Sequence, residues 1–306
     1  MAVLVVAVVV AGTLLQSDGK GAKATPPAPA LNLAVFPGES YARELIAGER
    51  AYERGERKTA LREFQAVLRQ DPASIEAAVG AALAAWPEGS LDRLRALVVS
   101  HPRSGVVRLH LGLALGVAGD RAGAEREWRE AEARDPDTPA ALEAESLLHP
   151  NMAPGRPFFV TTALPPASVQ KLGTVAQEAA LRRRAERGRA GDWLVLGAFL
   201  QRIERPVSAR EAYGRALVLA PGSLEAQTAD AVVRFDKDDP SEAFSRLGPL
   251  ARRHPRSSLV RFHLGLMLLW IRAVDDAKNQ LELATQGNGQ FHVRQAEDLL
   301  SRLSQI

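Results

Sequence analysis

The chain has 306 residues, with 39 lysines and arginines against 36 aspartates and glutamates, a net charge of +3 and no cysteine. That length has room for about two ordinary domains with a substantial core. The lack of cysteine excludes disulfides, thiolate metal sites and thiol nucleophiles, and the small, evenly spread charge gives no electrostatic footprint for nucleic acid.

Residues 1–16 form the hydrophobic membrane-anchor or signal segment, opening on the uncharged run MAVLVVAVVVAGTLL. As a helix rising about 1.5 Å per residue it falls short of a hydrocarbon core of about 30 Å. Two readings fit. The run has the length of an export-signal core, and Ala22-Lys23-Ala24 supplies a small-residue cleavage site. No lysine or arginine precedes the run, where a signal peptide has a basic n-region. The expected location is therefore a membrane, through a single-pass N-terminal anchor with the remainder outside the cytoplasm, or a secreted or periplasmic site after cleavage. Lys20 and Lys23, beside Asp18, are a small bias toward the opposite orientation. Residues 17–40 contain Pro26, Pro27 and Pro29 and read as an extended, poorly packed Pro/Ala-rich linker.

From residue 41 onward apolar residues recur at helical spacing, with no convincing strand run, so the fold class is all-α. The run HPRSGVVRLHLGL, from His101, returns as HPRSSLVRFHLGL, from His254, at an offset of 153 residues, which predicts two related halves. Within the halves, prolines at 72, 102 and 136, and again at 221 and 255, lie 30, 34 and 34 residues apart. In the unit that begins at Ala190, the residues Trp193, Leu196, Gly197, Ala209, Tyr213, Ala216 and Pro221 fall at fixed positions. This pattern resembles the tetratricopeptide repeat. A third unit offers Leu111, Gly112, Ala124, Trp128, Ala131 and Pro136, and the first Gly48, Ala60, Phe64 and Pro72. The sixth has Leu264, Gly265, Ala277, Leu281 and Ala284, then Gly289 in place of proline. The second and fifth units are weaker, the second being four residues short with Trp86-Pro87 closing its first helix early.

The resemblance implies a helical-repeat solenoid in two three-repeat halves, an internal duplication. Residues 41–148 would be the first module, ending in a capping helix from Thr138, and residues 168–306 the second, capped from Phe291. Residues 149–167, with five prolines, read as a linker or as an ordered strap carrying Phe158, Phe159 and Val160.

No catalytic constellation assembles from the sequence, and no cofactor or metal is expected. Four of the six histidines form two pairs at recurring positions, His101 with His254 and His110 with His263, which points to a structural role. The arginines at 182, 183, 184, 187 and 189 lack interleaved aromatics and read as a solvated helix end. What remains is the groove. By the resemblance, the first helices of successive repeats line a concave peptide-binding surface, here including Tyr52, Gln201, Arg202, Phe235, Phe262, Leu266 and Trp270, with Glu49 and Leu109 among its further lining. A lysine–asparagine clamp for a terminal carboxylate, found in some members of that family, is missing at the matching positions. The aromatic residues would be either exposed anchors or covered by the next repeat or by the 149–167 strap. The function expected is a non-enzymatic protein- or peptide-binding scaffold at an envelope complex, with an exported accessory subunit of an envelope enzyme as the alternative and no nucleic-acid partner.

Overall fold

The computed structural model describes residues 27–305; the expected membrane or signal segment, 1–16, lies outside the described residues. Sixteen helices and no named strand occur among the described residues. The first half holds α1 (Ala42–Glu53), α2 (Arg57–Gln70), α3 (Ile75–Ala84), α4 (Ser90–Ser100), α5 (Gly105–Val117), α6 (Arg121–Arg134) and α7 (Pro139–Leu148). The short α8 (Ala167–Gln170) and α9 (Thr174–Arg187) lead into the second half. There follow α10 (Ala190–Arg202), α11 (Pro206–Leu219), α12 (Leu224–Val233), α13 (Ser241–Arg253), α14 (Ser258–Trp270), α15 (Val274–Thr285) and α16 (Gln290–Leu303). None of these helices is long and apolar enough to cross a membrane.

Consecutive helices pack as hairpins, and the hairpins stack into a tetratricopeptide-like solenoid. The cause is a repeated pairing of a glycine with a bulky side chain on the next helix. A Cβ on Gly112 would run into the Trp128 ring, one on Gly197 into the Tyr213 ring, and one on Gly265 would lie 2.9 Å from Leu281. Phe64 serves two helices, since Cβ atoms on Gly48 and Gly80 would meet its ring at 2.7 and 2.6 Å. Gly80 gives the short second unit the contact that its sequence did not advertise. Each helix pair thereby closes around a side chain that is fully or largely out of water, as with Phe64 and Tyr213.

The turn between units is equally regular. After each recurring proline, the residue two places on caps the next helix: the side chains of Ser74, Ser104, Thr138, Ser223 and Ser257 accept hydrogen bonds from the amides of Ala77, Val107, Ala141, Ala226 and Val260. Proline cannot continue a helix and a hydroxyl satisfies an orphan amide of the next, so Pro-x-Ser/Thr works as a stop–start signal. Residues 171–173 separate the short α8 from α9.

Buried residues form one main cluster per half. The halves meet through polar contacts. Asp137, just before α7, accepts hydrogen bonds from Arg205 Nε at 2.9 Å and from the Ser208 amide and hydroxyl at 2.9 and 2.7 Å. The linker expectation for residues 17–40 needs correction from Pro29 onward: Leu31 and Leu33 are buried in the core of the first half rather than lying in a loose spacer.

Replacing Gly197 with valine forces three carbons into the space of the Tyr213 ring. The expected cost is about 2–3 kcal/mol, read as a lower urea midpoint, with Gly214→Val, where an added Cβ meets nothing within 4 Å, as the control.

Candidate functional site: two filled grooves

The first helices of the units line a groove in each half, and each groove holds a stretch of this same chain outside any helix, extended where burial alternates at residues 29, 31 and 33 and at 157 and 159. In the first half the occupant is residues 29–36, and in the second it is residues 153–163. An extended chain in an apolar groove has amides that no helix satisfies, so the groove must supply acceptors.

A fully buried histidine supplies one in each half. His110 Nδ1 lies 2.6 Å from the Val106 carbonyl and His263 Nδ1 lies 2.7 Å from that of Leu259. Each Nδ1 must therefore carry the proton, which leaves Nε2 as an acceptor. His110 Nε2 accepts the Asn32 amide at 3.1 Å, and His263 Nε2 accepts the Val160 amide at 2.9 Å. The residue preceding that amide is buried in both cases, Leu31 in one and Phe159 in the other. Burial pushes His110 down to about 4, and burial together with the neighbouring His292 pushes His263 down to about 3, so both rings are neutral at pH 7.

In the first groove, Glu49 Oε1 accepts the Leu33 amide at 2.7 Å and Glu143 Oε2 accepts Asn32 Nδ2 at 2.9 Å. The Tyr52 hydroxyl donates to the Pro29 carbonyl at 2.7 Å. In the second groove Gln201 Oε1 accepts both the Phe159 amide at 3.0 Å and the Tyr213 hydroxyl at 2.7 Å. Trp270 Nε1 donates to the Gly155 carbonyl at 3.0 Å, and His292 Nε2 donates to the Val160 carbonyl at 2.9 Å. Phe159 stacks on His263 with ring centroids 4.8 Å apart and meets Tyr213 edge-on at 5.6 Å.

The structure places the seven groove residues named from sequence in different settings. Tyr52 grips the first occupant, while Gln201 and Trp270 grip the second. Phe262 and Leu266 lie buried in the cluster on which Val160 packs. Phe235 is buried in the main cluster of the second half, with Phe159. Arg202 does not face the strap, since its guanidinium lies 4.9 Å over the Phe199 ring and donates to Gln177 at 3.1 Å. Phe235 and Phe262 are buried, and Trp270 is partly exposed with its indole bonded to the strap. Sequence reasoning missed His292, Glu143 and Glu225 and assigned no ligand to His110 and His263. Their recurrence marked them as structural, and nothing local in the sequence named the amides they would meet.

A polar cluster joins the halves behind the strap. Arg156 Nε donates to Glu145 Oε2 at 2.9 Å and its other end reaches Asp236 at 3.3 Å. The Lys237 amide donates to Glu145 at 3.3 Å, and Lys237 Nζ donates to Ser146 Oγ at 3.1 Å. Nearby, burial and then Glu145 and Asp238 raise the Glu132 carboxyl to about 7. Serine, lysine and carboxylate are together, yet the Ser146 hydroxyl donates to the Leu142 carbonyl at 2.8 Å and accepts from the Gly155 amide at 2.9 Å. Its proton is not aimed at a base, as a nucleophile's would be. Among the described residues, no group of His, Asp or Glu is arranged to hold a metal ion.

Two outcomes follow. The histidines are held neutral, so their stabilisation is complete above the ordinary value of 6.5 and is lost as pH falls toward the folded values of about 4 and about 3. Melting temperatures between pH 7 and 4 should therefore fall more steeply in the native chain than in a His110→Leu/His263→Leu variant. The difference is at most about 1.4 kcal/mol per pH unit per histidine. Glu145→Ala, which leaves Arg156 with Asp236 alone and the buried Lys237 amide without its acceptor, should lower stability by about 3 kcal/mol in urea denaturation.

No protein-family model matches the sequence, and no curated protein matches it. Among solved structures, the chain is similar to a tetratricopeptide repeat protein from Parabacteroides merdae, with 13% identity, a TM-score of 0.34 and coverage of 86% of this chain and 98% of that one. It is similar also to a thermophilic TPR protein of Thermus thermophilus, with 18% identity, a TM-score of 0.30 and coverage of 63% and 98%. Yeast Tom70 matches at 12% identity and a TM-score of 0.33, over 91% of this chain and 70% of its own.

Proposed function

We propose that this chain is a non-enzymatic scaffold that binds extended segments of protein, tied to a membrane by its N-terminal apolar run and positioning an envelope complex. One observation carries the reading: both grooves hold an extended polypeptide through the same contact, a neutral buried histidine accepting a main-chain amide just after a buried apolar side chain. A surface that recognises main chain in this way is suited to a protein ligand, while the cross-half cluster of Ser146, Lys237 and Glu145 is consumed by its own hydrogen bonds.

The docked segment also gives the tether a consequence. With residues from Pro29 held in the groove, the twelve residues 17–28 reach at most about 40 Å, so an anchored chain keeps its repeats close to the bilayer. The alternative, an exported accessory subunit, is carried by Ala22-Lys23-Ala24. Intact mass of the full chain expressed with its own N-terminus separates them. An uncut chain that stays in the membrane pellet after alkaline extraction supports the anchor, and a protein beginning near Thr25 supports the exported module. The scaffold itself is tested by cross-linking in intact cells. A specific protein partner recovered with the native chain and lost with Glu143→Arg supports it, and recovery of none overturns it.

A further inference from the structure

We propose that the groove of the first half is an exchangeable site for an extended basic segment of a partner protein, of the form leucine–lysine/arginine–leucine, for which Leu31-Asn32-Leu33 is the resident stand-in. The proposal rests on the scaffold reading and names its ligand. Three observations lead to it. First, among the described residues the occupant of this groove joins the fold at one end only, ahead of α1, whereas residues 149–167 are held between α7 and α8. Withdrawing residues 27–36 displaces no helix; withdrawing the strap would pull on two.

Second, the groove side chains that bond Asn32 and Leu33 are all acceptors. His110 Nε2, Glu49 Oε1 and Glu143 Oε2 take the Asn32 amide, the Leu33 amide and the Asn32 side-chain amide, at 3.1, 2.7 and 2.9 Å. The Tyr52 hydroxyl, which donates to Pro29, stands at the far end of the segment. Two buried leucines flank the donating residue, so the site reads apolar–donor–apolar along an extended chain.

Third, the resident leaves the charge of the groove unanswered. Residues 27–36, PAPALNLAVF, carry none. Burial, and after it neighbouring carboxylates, hold Glu49 and Glu143 above the usual carboxylate range; the neighbours are Glu53 for the first, and Glu204 and Glu49 for the second. The 149–167 strap shows what answers such a group, because it brings Arg156 onto the buried Glu145 of α7 at 2.9 Å. A lysine or arginine at the place of Asn32 would convert a neutral bond to Glu143 into a charge-assisted one. The same acceptors repel an acidic segment or a terminal carboxylate.

A tethered resident competes at an effective concentration of about millimolar, so the test uses the full chain with Leu31→Ser and Leu33→Ser, which weaken the occupant and leave every groove residue in place. Fluorescent PAPALNLAVF peptides, native and with Asn32→Lys, Asn32→Glu or Asn32→Pro, are titrated by anisotropy at low salt and again in about 0.5 M salt. The lysine peptide should bind roughly tenfold more tightly than the native one, the glutamate peptide more weakly, and the proline peptide, which has no amide for His110, not measurably. The lysine advantage should shrink in salt and vanish in Glu143→Gln while the native peptide still binds. Equal binding of the lysine and native peptides, or preference for glutamate, overturns the basic ligand and leaves the groove reading standing. No binding of any peptide overturns exchange at this groove, and the cross-linking result then judges the scaffold separately. If the double variant loses its helical circular dichroism, the series is run on Leu33→Ser alone, with the same outcomes deciding.

Discussion

A polypeptide that lies extended in an apolar groove has to hand its amides to something other than water, and this requirement organises both halves of the molecule. Helices satisfy their own amides and need only apolar faces to pack. An extended segment brings amides that must be met one by one by side-chain acceptors placed at the right depth. Buried histidine meets the need because its two nitrogens differ: Nδ1 donates to its own helix one turn back, at Val106 or Leu259, and this fixes the ring and turns the Nε2 lone pair outward. The helix thus orients the acceptor, and the acceptor orients the strap. Val160 is held on both sides, its amide by His263 and its carbonyl by His292.

The groove in turn depends on how closely each helix pair closes. Glycine opposite a ring or a branched side chain lets the two helices of a unit approach until the bulky group fills the contact, and this leaves the other face of the first helix free to line a concave surface. Phe64 is wedged between Gly48 and Gly80 and links the first unit to the second, so one side chain sets a contact within a unit and another between units. With few rings spent inside the pairs, those remaining are concentrated at the second groove, where Phe159, Phe262, His263 and His292 form a continuous set of ring contacts and Phe158 meets Trp270 edge-on.

Most of the helical architecture was legible because it is written in recurrences. Proline at a near-constant period, a small residue facing a bulky one, and two copies of one thirteen-residue run all report local stop signals or contacts between neighbouring helices. The Pro-x-Ser/Thr cap was present at every one of these prolines and is readable by the same logic. The straps were harder. Leu31 and Leu33 alternate with Asn32 in a stretch too short for a period to stand out, and the surrounding prolines suggested a loose spacer. The acceptors were harder still, since Asn32 meets Glu143 across 111 positions and Val160 meets His263 across 103. No local pattern encodes a partner that far away. Recurrence identified His110 and His263 as structural but could not reveal that the structure they serve is a strap.

The choice of acceptor also explains how the two grooves differ. A neutral imidazole can be buried at modest cost when both nitrogens are engaged, whereas a carboxylate needs a cation or several donors to justify its place out of water. The 149–167 strap meets this balance where it crosses α7: Glu145 has Arg156 from the strap and the Lys237 amide, while in the second groove Glu225 accepts the Thr161 hydroxyl at 3.0 Å. In the first half Glu49 and Glu143 each hold one neutral donor from the occupant, and each has only other carboxylates as charged neighbours acting on it. The second strap therefore fits its groove in shape and brings a cation to the carboxylates it crosses, while the first segment is matched in shape and backbone alone. A groove shaped for an extended chain but undersupplied with positive charge by its own occupant is the physical difference between a strap that completes a fold and one that holds a place.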